Sequence, residues 1–312
     1  PKNPVHGVMH ASRNFAINYP CMVLSRVLRT KLIPPPRSAR TLPRPRITEA
    51  LRSAFDYRLT VLQAGAGYGK STALAELAAE IRPVWYQVGD EDNDPLVFLL
   101  HLLHATREAL PELTDLPIAY LEAWDGAQGI LPWTGILDQF INLLSRQDVQ
   151  PLLFIFDDAH LVLEGGEIPH ILDRFIGRAP ANVHTLLSGR PDLNLPNLSR
   201  WRSRGEVLTL DQHTLTFTAR EISALFADQY RLDLTGEEVD SLLTYTEGWA
   251  IALQLIWQSI RSRASSALEF PPHWQADSLE SLFDVLAQEV FSRHPADIRE
   301  FLLVTATLRD LT

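Results

Sequence analysis

The sequence predicts an α/β fold, a doubly wound parallel sheet, followed by an all-helical unit. Three observations carry that reading. First, five short apolar runs, LTVLQ (59–63), VWYQV (84–88), LLFIF (152–156), VHTLL (183–187) and EVLTL (206–210), have the character of strands buried on both faces. Stretches long enough for helices separate them, and strands alternating with helices give a parallel sheet covered on both sides. Second, the strand signals stop after Leu210: TFTAREISALFADQY carries a capping box at Thr218 and Glu221, and LLTYTEGWAIALQLIWQSI keeps a 3.6-residue apolar period. Third, a glycine-rich turn lies between the first run and a helix, at the first strand-to-helix junction.

The order along the chain follows from local signals. The 312 residues are about twice a typical domain of ~150, which allows more than one unit. Residues 1–21 show no clear period, residues 1–27 read as an N-terminal extension, and Met22 would make a natural beginning inside it. Residues 28–56 are an arm and a first helix: prolines at 34–36, Pro43 and Pro45 impose an extended path, and a helix runs from about Ile47 to Phe55. The sheet occupies 57–211 and the helical unit 212–263. Residues 264–312 begin in a polar, proline-broken linker, and two amphipathic helices follow from Ser278. No internal repeat or low-complexity segment is seen.

Composition excludes several classes. With 46% hydrophobic and 21% charged residues and no run of about 18 apolar residues, the chain does not read as membrane-spanning. Its one cysteine, Cys21, cannot form an internal disulfide, and no signal-peptide pattern is present, which suits a cytoplasmic location. A formal charge of −10 repels a phosphate backbone, so this stretch is not expected to bind DNA by itself.

Ala64-Gly65-Ala66-Gly67-Tyr68-Gly69-Lys70-Ser71 fits the P-loop pattern, with alanine in place of its first glycine. Glycines allow torsions that turn successive N–H groups inward as a nest for phosphate oxygens, and the helix from Lys70 adds its positive end. Gly65, Ala66, Gly67, Tyr68, Gly69, Lys70, Ser71 and Thr72 are therefore expected around the phosphates of a nucleotide. Lys70 supplies a point charge to the β- and γ-phosphates, and Ser71 a hydroxyl to Mg2+.

LLFIFDDAH ends a buried strand in two carboxylates, which are costly there unless a cation or a proton transfer uses them. Asp157 would hold the metal and Asp158 would orient or deprotonate an attacking water. The alternative is that both acids cap the next segment. His160 is read as a structural, hydrogen-bonded side chain. TLLSGRP places Ser188 and Arg190 at the end of the fourth strand, and Arg190 is either a sensor of the terminal phosphate or a surface arginine before a turn. The acidic run Asp90, Glu91, Asp92, Asn93 and Asp94 precedes Pro95 and a long apolar helix, and capping is expected to account for most of it. His101 and His104 lie three apart on that helix without an evident third ligand for zinc.

GAGYGKST, WYQVGDEDNDP, LLFIFDDAHLV, LLSGRPDLNLP, LTFTAREISALF and EGWAIALQL occur in the order and approximate spacing of the STAND ATPases. With RTKLIPPPR and LPRPRI as an opening, residues 28–312 resemble the MalT-like branch, the large LuxR-type regulators. The resemblance implies a P-loop NTPase core, a helical lid and the start of a winged-helix domain, with ATP/ADP and Mg2+ as cofactors. It also implies a switch: ADP holds a closed monomer, an inducer acts through a C-terminal sensor, ATP exchange permits self-association, and DNA is met only through a separate effector. Carried over, Lys70, Asp158 and Arg190 are catalytic, Ser71 and Asp157 hold the metal, and Arg44 is the arginine of the arm. Gly248-Trp249-Ala250 occupies the place of a Gly-x-Pro that packs on adenine, which makes Trp249 a cofactor-binding residue. A defence ATPase with another effector, or a P-loop phosphotransferase, are the other readings. The latter needs a lid with several arginines, and residues 211–260 hold only Arg220 and Arg231.

Overall fold

Four of the apolar runs become strands buried on both faces, whereas the fifth, at 207–210, forms a sheet edge and is buried only at Leu210, short of the expectation. A computed structural model describes residues 27–263 apart from 39–40, 128, 147–150 and 192. The extension at 1–26, and the linker and winged-helix start expected from 264, lie outside the described residues. Strands β1 (Leu59–Gln63), β2 (Val84–Gln87), β3 (Leu152–Asp157), β4 (Val183–Gly189) and β5 (Val207–Leu210) form one five-stranded sheet in the order β2-β3-β4-β1-β5, and all pairs are parallel. The fourth strand is thus inserted between the glycine-turn strand and the acidic strand, with Gln63 level with Gly189 and Phe156 level with Leu187. Their carboxyl ends share one edge of the sheet, where ligands of doubly wound folds bind.

Side-chain alternation divides the core between two faces. Phe154 and Phe156 of β3 face one layer, and Leu153 and Ile155 face the other. Helices α1 (Pro45–Arg52) and α2 (Lys70–Ile81) cover the second face through Ile47, Leu51, Leu74 and Leu77. The first face is covered by α3 (Pro95–Ala109), α4 (Ile118–Glu122), α5 (Trp133–Ser145), α6 (Ile168–Arg178) and α7 (Leu198–Ser203). Phe154 meets Phe175 edge to face at 5.0 Å, and Phe140 stacks on Phe175 at 5.8 Å.

Beyond β5, the short helix α8 (Gln212–Leu215) still packs on the sheet through Leu215, and α9 (Ala219–Ala224), α10 (Gly236–Thr246) and α11 (Ala250–Arg263) form the helical unit around Ile222, Phe226, Leu242 and Leu253. The predicted capping box is present: Thr218 Oγ1 accepts from Glu221 N at 3.3 Å, and the Glu221 carboxylate accepts from Thr218 N at 3.0 Å. A one-turn π segment at Leu225–Gln229 follows α9. Among the described residues no helix is long and apolar enough to cross a membrane.

The acidic run at 90–94 meets the capping expectation in part: Asp94 caps α3, and Asp92 completes a capping box on the 3-10 turn Asp90–Asn93. Asp94 accepts from Leu96 N at 2.8 Å and Val97 N at 3.1 Å. Asp92 also points inward, fully buried, to meet Lys31 Nζ of the arm at 2.6 Å. Gly89 N donates to the same carboxylate at 2.7 Å. His101 lies beside this pair, its Nδ1 2.9 Å from Val97 O, so Nδ1 carries the proton and Nε2 accepts from Leu28 N at 3.1 Å. His104 instead donates to Glu122 and accepts from Arg107.

This geometry makes the arm contact sensitive to acid. Burial holds the His101 imidazole below its ordinary 6.5, opposed by the Val97 carbonyl and Asp92, with Lys31 adding to the fall and Glu91 opposing it. The unfolded chain then takes up this proton first as pH drops, so the contribution is complete above about pH 6.5 and declines below it. Protonation also removes the acceptor of the Leu28 N–H. We expect the unfolding midpoint to fall between pH 7.5 and 5.5, and His101→Phe, which keeps a ring against Tyr86, to remove His101's share of that slope. An unchanged slope in the variant would clear His101.

Candidate functional site

β1 ends at Gln63, and the glycine turn that follows is held to the neighbouring strand by Ala64 N donating to Gly189 O at 3.1 Å. Gly67 and Gly69 have φ of 74° and 86°, left-handed values that disfavour a side chain. Gly69 is the N-cap of α2 and offers no side-chain cap, which leaves the first N–H groups of that helix directed at the turn's interior. Lys70, 9% exposed, donates from Nζ to Ala64 O at 2.9 Å and Gly65 O at 3.0 Å, so its charge sits inside the turn.

The two acids have different environments. Asp157, 1% exposed, is pushed above the ordinary carboxylate range mainly by burial. A hydrogen bond from Ser188 opposes this, the Asp158 charge adds to it, and Ser71 and Lys70 oppose it. Asp158 is half-buried at the cavity and has φ of 58°, an unusual conformation for a residue with a side chain. Ser188 Oγ donates to Asp157 and accepts from Asp158 N at 3.4 Å, so one hydroxyl from β4 ties both acids together. The sequence placed Ser188 at the strand tip without this role. A small hydroxyl level with an acidic strand end was the available signal.

A cavity of ≈ 420 Å³ is lined by Ala66, Gly67, Gly69, Lys70, Ser71 and Thr72 of the turn, Asp158, His160 and Leu161 after β3, and Arg190 after β4. Residues as much as 124 apart in sequence, Ala66 and Arg190, thus line one cavity at this edge of the sheet. Asp157 lies near Ser71, which with Ser188 and Lys70 helps hold its carboxyl down against the effect of burial. The volume lies within the range of small-molecule sites. Mg2+ takes an octahedron of oxygens, usually one or two carboxylates with substrate and water, and a carboxylate beside a serine hydroxyl at a phosphate nest suits that demand. The donor set fits a nucleotide with magnesium.

Arg44, Tyr68 and Trp249 do not line this cavity but adjoin the turn, Arg44 Nη2 lying 3.7 Å from where a Cβ on Gly69 would be. Arg44 is buried with its guanidinium 4.2 Å above the Phe217 ring and Nη1 donating to Leu215 O at 2.7 Å. Burial lowers its pKa to about 10, with Glu221 and Glu76 opposing and Arg46 adding to the fall. It fastens the arm to the helical unit, helped by Arg46, which donates to Thr214 O, Thr216 O and Glu221. Tyr68 and Trp249 face each other with ring centroids 5.9 Å apart. Trp249 Nε1 donates to Ala66 O at 3.0 Å, and Ile251 N donates to Gly67 O at 3.1 Å, so the helical unit touches the glycine turn directly. Ile251 gave no signal in sequence, because its donor is a backbone N–H.

No family model matches the chain. The HTH-type transcriptional regulator MalT of Yersinia enterocolitica is 31% identical over 285 residues, 90% of this chain and 31% of the relative. MalT of Serratia proteamaculans is 32% identical over 286 residues, 90% of this chain and 30% of the relative. The chain thus spans about a third of the length of these relatives. A STAND protein with a tetratricopeptide repeat sensor from Pyrococcus horikoshii has a similar fold, with a TM-score of 0.52, 17% identity, and coverage of 89% of this chain and 36% of that one. The Walker-type ATPase of Pyrococcus abyssi superposes with a TM-score of 0.52 at 12% identity over 88% of this chain and 80% of its own. With the inserted fourth strand, the glycine turn and the paired acids at one sheet edge, the chain has a P-loop NTPase fold, and over nine-tenths of its length it is similar in sequence to part of the MalT regulators.

Proposed function

We propose that this chain is the ATP/ADP-binding and slowly hydrolysing switch segment of a MalT-like transcriptional regulator. The observation that carries it is the direct bonding of the helical unit to the phosphate-binding turn, through Trp249 Nε1 and Ile251 N. A ligand shifts a conformational equilibrium only by binding its states differently, and a lid that shares bonds with the turn gives phosphate a means of doing so. The Asp157–Asp158 pair adds the capacity for hydrolysis.

Gly65 to Thr72 are the phosphate cradle, and Lys70 is the cation for the β- and γ-phosphates. Ser71 and Asp157 hold magnesium, which when bound neutralises charge on the phosphate oxygens. Asp158, held at the cavity by its N–H bond to Ser188, orients the water and accepts its proton. Arg190 lies across the same cavity, suited to contact the terminal phosphate. Inducer sensing, self-association and DNA contact belong to the longer protein that the MalT relatives exemplify.

Asp158→Asn should keep ATP bound and lower turnover by roughly 100-fold or more, because general-base assistance is worth about that much. Single-turnover hydrolysis with matched binding measurements tests this. Equal rates in variant and wild type would remove Asp158 from the reaction.

A further inference from the structure

A trans peptide carries its C=O and N–H on opposite sides, so fixing one fixes the direction of the other. The carbonyls of Ala66 and Gly67 are both held by the helical unit. The N–H groups sharing those two peptides belong to Gly67 and Tyr68, and they are turned away from it. Ile251 sits in the first turn of α11, where N–H groups have no intrahelical acceptor, and Gly67 O satisfies one of them.

The approach is close enough to need a glycine. A Cβ on Gly67 would fall 2.6 Å from Ile251 Cγ2 and 3.2 Å from Trp249 Nε1. Behind the contact, Gly248 is seated on the backbone of Phe217, whose N–H donates to Gly248 O at 2.8 Å. Phe217 in turn carries the Arg44 guanidinium. Trp249 is therefore supported from the arm side while its indole N–H grips the turn.

We propose that Trp249, with the first turn of α11, positions the phosphate nest: by holding the outward carbonyls of Ala66 and Gly67 it keeps the Gly67 and Tyr68 N–H groups aimed at phosphate. Trp249 then acts on the phosphate end of the ligand through the turn, as a positioning residue, and its indole N–H is not a base contact. This rests on the nucleotide reading above.

The test compares ADP with inorganic pyrophosphate, which has no base, each with Mg2+, on the whole chain. Trp249→Phe keeps a ring beside Tyr68 and removes only the donor to Ala66 O. It should weaken ADP and pyrophosphate by the same factor, about five- to tenfold, the loss expected for one hydrogen bond. Val239→Ala, which removes buried methyl groups of the helical unit away from the turn, controls for general loss of stability and should leave pyrophosphate affinity unchanged. If Trp249→Phe weakens ADP alone, or changes neither ligand, or if Val239→Ala weakens pyrophosphate equally, the positioning role is overturned while the nucleotide reading stands. If wild type binds neither ligand, the nucleotide reading itself fails and takes this role with it.

Discussion

Lys70→Ala should weaken nucleotide binding by about two orders of magnitude or more, since charge-assisted bonds to phosphate are worth roughly 1.5–3 kcal/mol each and this side chain supplies more than one. The argument is geometric as well as electrostatic. Nζ is already inside the turn, held by Ala64 O and Gly65 O, so its charge is pre-placed within a nest of amides. Removing it leaves two carbonyls without their donor, so a modest fall in stability accompanies the loss. Calorimetric titration of ADP and ATP with Mg2+, beside a thermal melt, separates the two effects. Affinity within a few-fold of wild type would mean that the turn does not hold phosphate through Lys70.

Gly248→Ala should be the most damaging single methyl group in the helical unit. Gly248 has φ of 73°, where a side chain costs on the order of 1–2 kcal/mol. The added Cβ would also fall 2.4 Å from Phe217 O and 2.7 Å from Phe217 N, and both are backbone atoms that cannot rotate aside. Relief requires breaking the Phe217 N–H to Gly248 O bond, which also unseats the Arg44 stack and the grip of Trp249. Together these amount to about 3 kcal/mol or more. Gly205→Ala is the comparison: its φ is 70° with nothing within 4 Å of a Cβ, so it carries only the conformational cost. Denaturant unfolding of both variants checks this, and equal midpoints would show that the Phe217 contact yields freely.

What was legible in the sequence was local. LTVLQ and LLFIF are strands because a short, mostly apolar run can be buried on both faces, the Thr218–Glu221 box closes over three residues, and a glycine turn between strand and helix specifies its own geometry. The edge of the sheet at which Lys70, Asp158 and Arg190 meet follows from strand order, which five apolar runs alone do not fix. What was hidden depends on partners distant in sequence or lacking side-chain identity. Asp92 looked like one cap among several because Lys31 lies 61 residues away. Arg44 binds a backbone carbonyl 171 residues on, and no pattern announces a carbonyl. The grip on the glycine turn was half visible: tryptophan 249 stood out, but its acceptor and the Ile251 N–H did not.

The central claim is that the turn and the helical unit together hold a diphosphate. A preorganised nest closed on its outer side by α11 should release ADP slowly, and hydrolysis during expression should leave ADP behind. The most direct measurement is acid extraction of the purified chain, chromatography of the released nucleotide, and sizing of the protein. The account predicts close to one ADP per chain on a monomer. An empty site that also fails to take up added ADP or ATP with Mg2+, or a stable ATP-bound oligomer of the wild-type chain, would contradict it.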